Sequence, residues 1–150
     1  MDLAYEFTYD AVLAPKVPVG EGPYGRRHVR EVTGGRVTGE RINGGVRGGG
    51  GDWILVGPDG WGRLDVRLQI HTDDGADIYV QYFGIVEYNE AAVGANEGKG
   101  SSDYPDHYFR TAPRLETGDP RYEWVNRTLF VAEGRLHPGP VVEYRVYRVL

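Results

Sequence analysis

The sequence predicts an all-β fold: a single antiparallel β-barrel of about eight to nine strands. Three observations predict it. Apolar and polar residues alternate with period two in one segment after another. Twenty-three glycines and nine prolines mark frequent turns. No stretch carries a long helical stripe or the strand–helix–strand rhythm of a parallel sheet. The 150 residues fit one domain, residues 1–150, with a single sizeable core. A closed barrel is favoured over an open sandwich because closure removes the edges that such long strands would expose.

The first strand is read from Leu3, Tyr5, Phe7 and Tyr9 alternating with Ala4, Glu6, Thr8 and Asp10. Pro15 to Tyr24, with three prolines and two glycines, reads as an ordered loop or lid. Strands resume at His28–Val32, and Thr33-Gly34-Gly35-Arg36 predicts a hairpin turn into Arg36–Ile42. The glycine run 44–51 reads as a flexible hairpin loop. It lacks the Gly-Lys-Ser/Thr ending of a phosphate loop and leads into a strand instead of a helix. Gly57-Pro58-Asp59-Gly60 joins Asp52–Val56 to Trp61–His71, and Asp73-Asp74-Gly75 joins that strand to Asp77–Tyr88. Residues 89–106 are polar and rich in Gly and Ser apart from Ala91-Ala92-Val93, which suits one helical turn. They read as a mobile loop over one end of the barrel. The last strands are Tyr108–Thr117, Tyr122–Glu133 and Val141–Val149, with turns at Gly118-Asp119-Pro120 and His137-Pro138-Gly139-Pro140.

Composition narrows the functional classes. The apolar fraction is 40%, the charged fraction 26%, and no uninterrupted apolar stretch approaches the ~18 residues of a membrane span. No membrane partner is expected. The acidic start Met1-Asp2-Leu3-Ala4-Tyr5-Glu6 is unlike a secretory signal, and there is no cysteine, so a cytoplasmic location is expected. The net charge of −5 is spread along the chain without a basic block, which argues against nucleic acid. His28, His71, His107 and His137 are scattered, so no metal site and no cofactor are expected. With Ser101 and Ser102 as the only serines, no Ser–His–Asp arrangement is legible. Asn126-Arg127-Thr128 matches a glycosylation acceptor by chance alone, given the expected location.

Eleven tyrosines and three tryptophans are the notable excess, because these side chains line pockets that need an apolar body and a polar tip. On Trp61–His71, Leu64, Val66, Leu68 and Ile70 share one face and Asp65, Arg67, Gln69 and His71 the other. The polar face is either solvated or, in a ligand-holding barrel, turned toward the cavity. Arg110 and Glu116 share a strand face ~20 Å apart at 3.3 Å per residue, so each needs another partner. Tyr122, Trp124, Asn126, Thr128 and Phe130 share a face whose mixture of rings, amide and hydroxyl suits a cavity or a satisfied hydrogen-bond network.

Arg26-Arg27-His28-Val29, Val32-Thr33-Gly34-Gly35, Asp52-Trp53, Leu64-Asp65-Val66-Arg67, residues 72–80, residues 108–117 and Tyr122-Glu123-Trp124-Val125-Asn126 together resemble one bacterial family, catalogued as domain of unknown function 3237. The resemblance runs in order from Leu3 to Val149. It implies a lipocalin-like antiparallel barrel and carries no reaction with it. Leu115 stands where that family more often has phenylalanine, and residues 89–102 fall where its members differ.

The function expected from these residues is cofactor-free acid/base chemistry, as an isomerase, lyase or cyclase, on a small hydrophobic or aromatic molecule in the barrel interior. Asp65 and Glu116 are the candidate proton-transfer groups, since a carboxyl in an aromatic pocket has a raised pKa. Arg110 is the candidate for holding a substrate carboxylate or stabilising an enolate. Tyr79 and Asn126 are candidate hydrogen-bond donors, with Trp53, Trp124 and Tyr108 as ring-stacking and binding residues. The alternative is a non-catalytic binding or carrier protein in which Asp65 and Arg110 form an internal ion pair. A homodimer through an exposed strand face or edge is compatible with either reading.

Overall fold

The structure, a computed structural model, describes residues 1–150. Eleven strands follow one another: β1 (Leu3–Leu13), β2 (Val17–Gly22), β3 (Gly25–Gly34), β4 (Arg36–Gly39), β5 (Gly44–Val46), β6 (Gly50–Val56), β7 (Trp61–Thr72), β8 (Asp77–Glu87), β9 (Phe109–Glu116), β10 (Phe130–His137) and β11 (Val141–Val149). A short helix, α1 (Glu90–Asn96), and a 3-10 helix, Pro120–Arg127, lie between strands. Antiparallel pairing closes a ring of eight strands in the order β1, β3, β6, β7, β8, β9, β10, β11 and back to β1. β2 extends the wall beside β3, while β4 and β5 bridge β1 to β7 where β3 and β6 leave the ring short. No helix is long and apolar enough to cross a membrane.

Alternation sets the two faces. Leu64, Val66, Leu68 and Ile70 of β7 point inward with Ile78, Val80, Tyr82 and Val86 of β8, and their neighbours in sequence point out. A β-bulge between Tyr5 and Phe7 shifts this parity in β1. Phe7, Tyr9 and Ala11 are consequently buried, while Leu3 and Tyr5, expected on the same face, are exposed. The turns at 57–60, 73–75 and 137–140 form as expected, with Gly60, Gly75 and Gly139 supplying the positive φ each requires.

The glycine run 44–51 is mostly strand instead of a loop: β5 takes 44–46 and pairs with β4 and β7, β6 begins at Gly50, and only 48–49 turn between them. Three further segments differ from expectation. Residues 15–24 contain β2, a strand instead of a lid, paired with β3 from Val17 to Gly22. β3 and β4 do not form a hairpin with each other; both run along β1, Val12 opposite Gly34 and Tyr9 opposite Val37. Gly35 bends the chain between them. Its φ is +146°, and a Cβ there would lie 1.8 Å from the Asp10 carbonyl oxygen. The third is the expected strand from Tyr122, which begins only at Phe130. Asp119 caps the 3-10 helix by accepting from the Arg121 amide at 2.9 Å, and Pro120 occupies its first turn.

These elements make the two ends of the barrel unlike. At one end the 3-10 helix forms a plug: Val125 is buried, and Trp124 packs edge-on against Phe130 at 6.2 Å. Arg41 lies 3.6 Å from the Trp124 ring centre and grips the buried Glu6 with two hydrogen bonds of 2.7 and 2.8 Å. At the other end the β2–β3 hairpin and α1 surround an opening. α1 starts at Asn89, whose side chain accepts from the Ala92 amide at 3.1 Å.

Candidate functional site

Below that opening lies a cavity of about 330 Å³. Its walls are mostly apolar: Ile54, Val56, Leu64, Val86, Phe109 and Val142. The ionisable groups come from two paired strands. Arg26, His28 and Arg30 of β3 step inward from rim to depth, opposite Val56, Ile54 and Asp52 of β6. Arg30 and Asp52 are the deepest of these, only 9% and 5% exposed.

Asp52 occupies a position on β6 where alternation places an apolar residue, between Gly50 and Ile54. It accepts one protein hydrogen bond, from the Asp65 amide at 3.3 Å. Burial raises its pKa to about 7; the Asp65 amide opposes that shift, the Asp65 charge adds to it, and Arg30 opposes it weakly. Four tyrosines feel its charge: Tyr9, Tyr82, Tyr88 and Tyr144. Burial keeps all four hydroxyls protonated, with Tyr88 pushed to about 12. Tyr144 and Tyr88 line the cavity. Tyr144 is held by stacking on Tyr9 at 4.9 Å and by edge contacts with Tyr82 at 5.5 Å and Phe109 at 5.4 Å. The Tyr9 hydroxyl is buried without a hydrogen-bond partner.

Nearer the rim, burial and the neighbouring Arg30, Lys16 and Arg26 depress His28 to about 4, so its imidazole is neutral at pH 7. Lys16 and Arg26 contribute positive charge to the lip, which Asn96 of α1 and the capping residue Glu97 also line. Chemically, the arrangement offers one carboxyl able to give or take a proton near neutrality, phenol donors beside it and an uncommitted guanidinium.

The expected site residues lie elsewhere. Asp65 is on the outer face of β7, with Arg67 Nη1 3.2 Å from its carboxylate. Glu116 is exposed beside Arg114, and Arg110 lies outside between Glu133 at 3.9 Å and the Tyr108 ring. Asp65 and Arg110 do not pair. Tyr79 is on the outer wall near Gln81, and Trp53 and Tyr108 are exposed at 39% and 48%. Trp124 belongs to the plug, and Asn126 clamps the Thr117 backbone by accepting from its amide and donating to its carbonyl, both at 2.9 Å. For the strand residues the cause is that the apolar face of each long strand faces inward, which turns the polar face of β7 outward; Trp124 and Asn126 are displaced because their segment is a 3-10 helix instead of a strand. Asp65 contributes only its backbone amide, to Asp52.

A Ser–His pair is also present. With His107 Nδ1 facing the Glu87 carbonyl at 3.2 Å, the proton sits on Nδ1, and Nε2 accepts from the Ser102 hydroxyl at 2.9 Å. Ser102 Oγ in turn accepts from the Leu136 amide at 2.9 Å. Both residues are buried outside the cavity, so the pair is a latch tying the 89–108 connection to β10.

Comparison with known proteins agrees with the barrel. The protein RPA1785 of Rhodopseudomonas palustris, named as a UPF0311 protein, is 34% identical over 95% of this chain and 93% of its own length. Its crystal structure superposes with a TM-score of 0.90, covering 99% of this chain and 97% of that one. A protein of Acinetobacter baumannii described as β-barrel like is 28% identical, with a TM-score of 0.79 over 99% and 96% of the two chains. The fold extends to a structure described as an enzyme from Penicillium herquei, 20% identical with a TM-score of 0.69 over 97% and 93%. The model of the family described as protein of unknown function DUF3237 matches residues 1–149, and the chain belongs to that family.

Proposed function

We propose that the protein is a cofactor-free acid/base enzyme, an isomerase, lyase or cyclase, acting on a small hydrophobic or aromatic molecule in the cavity, with Asp52 as the proton-transfer group. The observation that carries the reading is a carboxyl with a pKa near 7, buried in a mostly apolar cavity that Tyr88 and Tyr144 also line. A group titrating near the working pH holds enough of each protonation state to act as base and then as acid.

In this reading Asp52 removes a proton from a carbon next to a carbonyl, forming a carboxylic acid and leaving the electron pair as an enolate. The Tyr144 and Tyr88 hydroxyls donate to the enolate oxygen, and the Asp52 acid returns its proton to a different atom of the substrate. Apolar walls exclude water and strengthen each of these interactions. That a barrel of the same architecture is described as an enzyme bears on what the fold accommodates and not on which reaction occurs here.

The test is solvent-deuterium exchange at the α-carbon of cyclic ketones and aromatic keto acids, followed by NMR. Exchange catalysed by the native protein and abolished in a folded Asp52→Asn variant supports the reading. Ligands that bind without exchange would support the carrier alternative.

A further inference from the structure

We infer that Arg30 is an anion-reading residue and that the natural ligand is a small ring compound bearing a carboxylate, bound with that group at the inner end of the cavity; this rests on the cavity being the site proposed above. Arg30 is nine-tenths buried and lines the cavity. It makes no side-chain hydrogen bond and no ion pair, although almost every other arginine of the chain does. Arg36, Arg41, Arg63, Arg121 and Arg135, for example, each hold a carboxylate at 2.9 Å or less.

A guanidinium cannot discard its charge, and a buried charge without a partner is costly. Asp52 stands directly across the sheet from it and forms no ion pair with it. Five donors in a planar fork are therefore left facing an apolar cavity, an arrangement that matches a carboxylate held by two parallel hydrogen bonds. The approach is graded to match. Lys16, Arg26 and Arg27 outnumber the one acid, Glu97, among the rim residues, although the chain as a whole carries −5, and the Arg26, His28, Arg30 ladder leads inward at ~7 Å per step. Size sets the other bound: 330 Å³ is about eleven waters at ~30 Å³ each, room for one or two rings.

The experiment compares carboxylates with their neutral amides: benzoate with benzamide, 2-naphthoate with 2-naphthamide, and cyclohexanecarboxylate with its amide. Binding is read by calorimetry and by thermal shift. At least one acid should bind ten-fold or more tightly than its amide, and Arg30→Met should reduce that ratio below three-fold while leaving amide affinity within about two-fold. Unliganded Arg30→Met should melt within a few degrees of the native protein, because Arg30 has no side-chain hydrogen bond or ion pair to lose. If that variant does not fold, Arg30→Lys, which keeps the charge and loses the fork, should retain only part of the preference. Equal affinity for acid and amide, an undiminished preference in both variants, or no binding by any of the three acids would overturn the assignment. Repeating the comparison in Asp52→Asn separates it from the proposed chemistry, since the preference for the acid should persist there whether or not the native protein catalyses exchange.

Discussion

Arg30 and Asp52 are cross-strand partners on β3 and β6, both buried, both facing one cavity, and they do not form an ion pair. Opposed residues on adjacent strands place their Cβ atoms ~5 Å apart, so the arginine could fold back onto the acid. Instead each faces the cavity, and burial holds Asp52 near 7. An acid neutralised by a salt bridge would have its pKa driven the other way, out of the range useful for proton transfer at neutral pH.

Asp52→Asn should make the protein more stable in alkaline solution while removing its chemistry. Unfolded, the carboxyl ionises near 4; folded, near 7. Between those values the folded state holds the extra proton, so stability is lost as pH rises through that window, and the cost is complete by pH 8. At 1.36 kcal/mol per pKa unit the penalty is on the order of 4 kcal/mol. Urea unfolding should show Asp52→Asn a few kcal/mol more stable than native at pH 8 and close to native at pH 4.

His28 acts with the opposite sign. Its folded pKa of about 4 lies below the ~6.5 of the unfolded chain, so its contribution is complete above pH 6.5 and is lost as pH falls toward 4. In native protein this slope opposes that of Asp52. In an Asp52→Asn background stability should fall from pH 6.5 to 4, and adding His28→Gln should flatten the fall.

Gly134→Ala should damage the cavity from behind. A Cβ at 134 would lie 2.7 to 2.9 Å from the Phe109 ring, which lines the cavity and packs against Tyr144. Overpacking of this kind costs ~1–3 kcal/mol. A lower melting temperature together with weaker binding of a cavity ligand is expected; Gly118→Ala, where a Cβ meets nothing within 4 Å, should leave binding unchanged.

Arg41→Ala should loosen the plug. It removes two hydrogen bonds to the buried Glu6 and the cation over Trp124, leaving Arg148 Nε, 3.3 Å away, as the nearest charge to Glu6. Arg41 is partly solvated, so the loss should be ~2 kcal/mol rather than the 3–5 of a fully buried pair. A drop of several degrees in melting temperature and a red-shifted tryptophan emission would report it.

Glu116→Gln and Arg110→Ala should change neither turnover nor ligand affinity. Both side chains are on the solvated outer wall, where substitutions shift stability by ~0.5 kcal/mol or less.

The barrel was legible because each long strand repeats one pattern, and β7 with its alternating leucine, valine and isoleucine is the clearest case. The site was less so. Asp65 belongs to a polar row that faces outward, and only its backbone amide reaches Asp52. Asp52 was the informative acid: it shares a face with Ile54 and Val56, so parity alone places a carboxyl among apolar neighbours. Arg30, in step with Val32, carries the same signal. Trp124 and Asn126 alternate as a strand would, while the competing signal Asp119-Pro120 followed by Glu123 marks a helix N-terminus, and the helix signal wins. The bulge at Tyr5–Phe7 left no mark in the spacing and so moved Glu6 inward unannounced.

The central claim, that Asp52 transfers protons inside the barrel, is tested most directly by the pH dependence of α-carbon deuterium exchange in a substrate the native protein binds. Exchange that rises with a midpoint near pH 7 and vanishes in Asp52→Asn, with ligand affinity retained, is the predicted result. Exchange that persists in Asp52→Asn, or its absence at every pH for every compound that binds, would contradict it.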